Sequence, residues 1–196
     1  MGNAYGIRQQ EVFKFEDLEE DAKESAMNEY REGFLDYEWW ECVYEDAKEI
    51  GKLMGIEIDN IYFSGFCSQG DGACFEGDYE YKKGSVKAIK DYAPLDTELH
   101  QIAMDLAMIQ RPAFYGLTAT VKQYGRYFST NIDVYKEWHD YATINQEDAI
   151  TETLRDYMHW IYKRLESEFD WLNSDEQIAE SIEINEHLFL EDGTFI

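Results

Sequence analysis

Proline is scarce in this chain, with two in 196 residues, and that excludes a proline-rich linker. Cysteine is scarce too. Cys42, Cys67 and Cys74 form an odd, scattered set, too far apart for a CxxC redox pair and without a second pair to complete a zinc site. No apolar run reaches the roughly 18 residues that a membrane-spanning helix needs. The opening MGNAYGIRQQ lacks the apolar segment of a secretory signal, so reduced thiols in a cytosol are expected. Positive charge is the largest deficit: 17 Lys and Arg stand against 42 Asp and Glu, a formal net charge of −25. Such a chain repels nucleic-acid phosphates and anionic lipids and attracts basic surfaces over long range. Direct binding to nucleic acid or membrane is therefore not expected. Internal pairing can neutralise only a minority of the carboxylates, and the excess costs stability through self-repulsion.

What is present points to a folded chain. Hydrophobic residues make up 44% and aromatics 16%, enough to build a core despite the charge. Val12 to Phe15 reads as a short strand or as an apolar staple before a helix. The spacing Ala22, Ala26, Tyr30 predicts a helix from about Glu19 to Gly33, with Glu19, Glu20 and Asp21 at the positive end of its dipole. A second helix is expected from about Asp36 to Met54, carrying the stripe Trp39, Val43, Ala47, Ile50, Met54 and a glycine stop at Gly55. Trp40 falls beside that stripe, as core or as an exposed anchor.

Strands are expected at Ile56–Phe66 and Cys74–Lys82, then a helix near Thr97–Ile109 that ends before Pro112. Leu117, Ala119 and Val121 alternate with polar residues, as do Thr130, Ile132 and Val134 after the turn Tyr124-Gly125-Arg126. The longest helix is expected from about Gln146 to Leu172, capped by Asn145, with a new start at Ser174 where Gln177 completes a capping-box spacing. Asp192-Gly193 marks a turn between two short apolar runs. These pieces assemble as a single α+β domain, a roughly four-stranded antiparallel sheet covered by amphipathic helices.

The densest cluster of small residues is the loop Ser68, Gln69, Gly70, Asp71, Gly72 between the first two long strands. Gly70 and Gly72 permit positive backbone angles, so successive amides there can converge on an anion. P-loop spacing is missing, no lysine follows, and Asp71 would repel a phosphate, so a tight structural loop is the competing reading. Asp71, Glu76 and Asp78 offer oxygens without the EF-hand pattern, and no metal or other cofactor is expected. His100, His139, His159 and His187 are scattered, and neither a G-x-S-x-G elbow nor an HExxH pair is present, so no catalytic residues are assigned.

Acidic residues interleaved with aromatics form the remaining signal, in DYEWWECVYEDAKE and LESEFDWLNSDEQ. Glu38, Trp40, Glu41, Glu45, Asp46 and Glu49 in the first, with Glu166, Glu168, Asp170 and Trp171 in the second, are the candidate interaction surface. Carboxylates along a helix face can imitate duplex phosphates, which lie at roughly one charge per 1.7 Å of axis, although a solvated face gives the same sequence.

The run FSGFCSQGDGACF, from Phe63 to Phe75, resembles the core FSGF-x-SQGDGA-x-F of a family of small proteins encoded by tailed phages and prophages. Gly55-Ile56 and the tail Asp192-Gly193 extend the similarity over most of the chain, while Cys67 occupies a variable slot. Members are loosely described as antitoxin-like. The resemblance implies a phage accessory protein acting in a bacterial host cytoplasm. Together with the acidic, aromatic helices and the lack of catalytic motifs, the expectation is a non-enzymatic protein that binds and inhibits a host protein with a basic, nucleic-acid-binding surface. An antitoxin, or a small-ligand or metal-binding protein using Ser68–Gly72, are the alternatives.

Overall fold

A computed structural model describes residues 10–33, 38–125, 128–136 and 142–196. The expected features at Asp36, Arg126 and His139 lie outside the described residues. In chain order the regular elements are β1 (Phe13–Lys14), α1 (Glu20–Gly33), α2 (Glu41–Met54), β2 (Ile56–Phe63), β3 (Ala73–Glu80), α3 (Ser85–Tyr92) and α4 (Thr97–Gln110). They continue with β4 (Leu117–Gln123), β5 (Thr130–Lys136), α5 (Ile144–Leu172), α6 (Asp175–Ile184) and β6 (Leu188–Phe189). The α+β class and the antiparallel sheet are those expected. The chain divides into two compact units, one drawn from residues up to Trp39 and from Glu168 onward, the other Trp40–Ser167.

The larger unit is built on the sheet β2-β3-β4-β5, every pairing antiparallel. Alternation along the strands gives it one apolar and one polar face. Ile56, Ile58, Phe75, Tyr79, Leu117, Ala119, Val121 and Ile132 are buried. A bulge at Asp59 shifts the register so that Ile61 returns to the buried face. Gly77 lies opposite Ile58 at φ 155°, where a Cβ would collide with the carbonyl of Glu57. Helix α5 supplies Ile150, Leu154, Tyr157 and Ile161 to the core. The Tyr157 ring meets Phe75 edge-on at 6.1 Å, and its hydroxyl donates to the Ala47 carbonyl at 2.5 Å.

Three features differ from expectation for physical reasons. Helix α2 begins at Glu41, because Trp39 and Trp40 form a turn before it. The cap of α5 is Thr143 rather than Asn145: its hydroxyl accepts from the Gln146 amide while the Gln146 side chain accepts from the Thr143 amide. Ser174 caps α6 as expected, accepting from the Gln177 amide. Helix α3 was not foreseen. Only Ser85 and Ile89 of its eight residues are buried, too few to show a period.

In the smaller unit β1 pairs with β6, Phe13 opposite Phe189, and Phe195 bridges to Phe189 beyond the Asp192-Gly193 turn. Phe15, Leu18, Ala22, Ala26, Ile178, Ile182 and Phe189 form its core. Arg31 reaches Asp175 and donates to the Asn173 carbonyl at 3.3 Å. Among the described residues no helix is long and apolar enough to cross a membrane.

Candidate functional site

The loop between β2 and β3 closes on its own carboxylate. Asp71 accepts from the Ser68 amide at 2.6 Å and from the Ser64 hydroxyl at 2.9 Å. Ser64 accepts in turn from the Gly72 amide, and its own amide donates to the Gly72 carbonyl at 3.1 Å. The Ser68 amide first, and the Ser64 hydroxyl second, hold the Asp71 carboxyl below its ordinary value. The Ser68 amide is thus turned to an internal carboxylate and the Gly72 amide to the Ser64 hydroxyl, rather than to an external anion. Gly70 has the left-handed φ of 105°, whereas Gly72 does not. Ser68, Gln69 and Gly70 remain exposed.

Around the loop's base lies a continuous set of rings. Trp40 meets Phe63 at 5.7 Å, Phe63 stacks on Phe66 at 5.8 Å, and Phe66 meets Tyr162 at 5.5 Å. Tyr162 donates its hydroxyl to the Gly65 carbonyl at 3.2 Å, joining α5 to the loop. Tyr44 packs edge-on to Phe63, and burial pushes its hydroxyl up to about 12. Trp40 is half-buried here, part of a packed cluster with one side in solvent.

Two surfaces of this unit carry aligned carboxylates. On α2, Glu41, Glu45 and Glu49 are exposed at four-residue intervals, so they form one line with roughly 6 Å of rise per step. Asp46 is half-buried and accepts from the Tyr92 hydroxyl at 2.8 Å, which withdraws it from that line. The second surface is the polar face of the sheet. Register places Glu57 opposite Asp78, Asp78 opposite Thr120, and Thr120 opposite Asp133, a row across all four strands. Thr120 donates to Asp78 at 2.7 Å. A groove of about 540 Å³ runs over this face, bordered by Glu57, Asp78, Glu80 and Thr118 with Lys52 and Lys82 at its rim.

The expected interaction residues do not all fall in one unit. Trp40, Glu41, Glu45, Asp46, Glu49 and Glu166 belong to the larger unit, and Glu38, Glu168, Asp170 and Trp171 to the smaller. Glu166 and Glu168 are half-buried, while Glu38, Asp170 and Trp171 are exposed. Of the sheet-face acids, sequence reasoning missed Glu57 and Asp133 and read Asp78 only as a possible cation ligand. Their signal was present as the polar half of each strand's alternation, but only the pairing register brings them side by side. Among the described residues no group of three acidic, His or Cys side chains is arranged to hold a metal ion.

Fold and surface define an acidic α+β protein whose sheet leaves one carboxylate-bearing face uncovered. Residues 39–175, most of the chain, match the family described as a domain of unknown function (DUF8835), and the chain belongs to that family. No curated protein and no solved structure matches it.

Proposed function

We propose that the acidic surface of the larger unit binds a partner protein through a basic face, and that the chain is a phage-encoded inhibitor of a host nucleic-acid-binding protein or defence complex. The observation that carries this reading is the direct pairing of Glu57 with Asp78 on an open sheet face. Like charges opposite one another on a sheet destabilise it. A chain that already bears a net charge of −25 gains nothing in solubility from one more such pair. A basic partner turns that repulsion into attraction. The Glu41, Glu45 and Glu49 line on α2 adds three exposed carboxylates beside the half-buried ring of Trp40, charge for steering and an aromatic for anchoring. The resemblance of Phe63–Phe75 to a phage protein core supports the biological setting. In the mimic form of the proposal, these carboxylates stand where the partner normally holds phosphates.

The test is capture from bacterial lysate at about 50 mM and about 200 mM salt, with duplex DNA as competitor. A basic protein retained at low salt, released at high salt and displaced by DNA supports the proposal. Retention indifferent to both salt and DNA overturns it. Rescue of growth on co-expression with a toxic partner that binds no nucleic acid would instead establish the antitoxin reading.

A further inference from the structure

The sheet β2-β3-β4-β5 has two end strands, and they are finished differently. An end strand presents main-chain N–H and C=O groups that no neighbour takes, and folded proteins blunt such edges with bulges, lysines or a covering element. The β2 end has all three. Its bulge lies at Asp59, and the Lys48 ammonium donates to the Asp59 carbonyl at 3.0 Å. Helix α2 lies so close to the Ile56 carbonyl that a Cβ on Gly51 would stand 2.9 Å from it.

Among the described residues, the β5 end has no such guard over Thr130–Val134. The Tyr124 amide donates to the Ser129 carbonyl at 2.8 Å, which fixes the alternation of the β4–β5 pairing. Asn131, Asp133 and Tyr135 turn their main-chain groups toward β4, and Thr130, Ile132 and Val134 turn theirs outward. Among the described residues those outward groups meet no partner. The pairing runs without a bulge from Gln123 opposite Thr130 to Leu117 opposite Lys136. The strand holds no proline, and its one lysine, Lys136, is its last residue.

The side chains of β5 say what fits beside it. Ile132 and Val134 lie on the apolar face, and Val134 is only half-buried, so that face is unfinished at this end. On the polar face Asp133 ends the row that begins at Glu57. Its carboxylate accepts from the Asn131 side-chain amide at 3.1 Å, and among the described residues it forms no ion pair. We propose that the open edge of β5 takes an extended segment of a basic partner as a fifth strand. A lysine or arginine of that segment faces Asp133, and apolar residues on either side of it continue the face past Ile132 and Val134. Opposite charges directly across a strand pair stabilise it, and like charges destabilise it. A second copy of the chain does not fit. In the three registers that overlap best, two-fold pairing of β5 with itself sets Asp133 opposite Asn131, Asp133 or Tyr135, never a cation. It also brings together two chains of net charge −25. The inference deepens the proposed function, on which it rests for the sign of the partner's charge.

The probes are three synthetic peptides as long as β5: alternating valine–lysine, alternating valine–glutamate, and the valine–lysine peptide N-methylated at alternate amides. Each is titrated into the full chain labelled with nitrogen-15. The valine–lysine peptide should shift the Thr130, Ile132 and Val134 amides and slow their hydrogen exchange. It should bind at least about tenfold more tightly than its N-methylated twin, which keeps the charge and loses main-chain donors. Asp133→Lys should turn the preference toward the glutamate peptide. Val134→Pro should remove binding while the β4 amides keep their protection, because the lost N–H points away from the sheet. Equal affinity of the lysine peptide and its N-methylated twin overturns the edge inference alone and leaves the basic-partner reading standing. Equal affinity of the lysine and glutamate peptides overturns both. A dimer of the free chain that Val134→Pro dissolves overturns the choice of occupant.

Discussion

Asp71 and Gln110 are polar side chains used to finish the backbone. Asp71 satisfies the amide of Ser68 and the hydroxyl of Ser64, which makes the Ser68–Gly72 segment a self-contained turn. Its folded-state carboxyl titrates below the ordinary 3.8. The stabilisation is therefore fully present above 3.8 and is lost as pH falls through the lower, folded-state value. The Ser68 amide resonance should titrate with a midpoint below 3.8, and Asp71→Asn should abolish that titration while loosening the loop at neutral pH. A midpoint at or above the ordinary value would show that the turn does not hold the charge. Gln110 is buried completely, and its amide serves Leu117 and the Tyr79 hydroxyl together. Gln110→Met keeps the volume but strands those groups. It should destabilise the protein by about 2–4 kcal/mol in chemical denaturation, against a smaller loss for Tyr79→Phe.

Among the elements, those with several periods of pattern were legible in the sequence and those defined by a partner were not. The stripe from Ile150 to Leu165 announces α5, and the alternation from Leu117 to Val134 announces the β4–β5 hairpin. Helix α3 gives no such stripe, since Ser85 and Ile89 alone reach the core. The α5 cap also needed geometry, because Thr143 and Asn145 are both good capping residues and only the bonds to Gln146 distinguish them. For the candidate site, the α2 acids were readable from helical spacing. The Glu57–Asp78 row was hidden because cross-strand register, with its shift at Asp59, is a property of two segments at once. That row makes a prediction of its own. Glu57→Lys should stabilise the isolated protein by about 0.5–1 kcal/mol by replacing a like-charge pair with an opposite one. The same change should weaken binding to a basic partner. Unchanged or lower stability would mean that the pair is not repulsive as placed.

For the whole molecule, charge is the dominant fact, and it is distributed unevenly. Carboxylates stand opposite one another on the open sheet face and in a line on α2. A chain that needed acidity only for solubility would have no reason to set Glu57 against Asp78 or to align Glu41, Glu45 and Glu49. The most direct test is the salt dependence of the partner complex, measured for the parent and for the Glu41→Gln/Glu45→Gln/Glu49→Gln variant. The log affinity of the parent should fall steeply with log salt. The variant should bind more weakly at about 50 mM salt and show a shallower slope, because fewer charges are neutralised on binding. Superimposable curves for the two proteins would contradict the account.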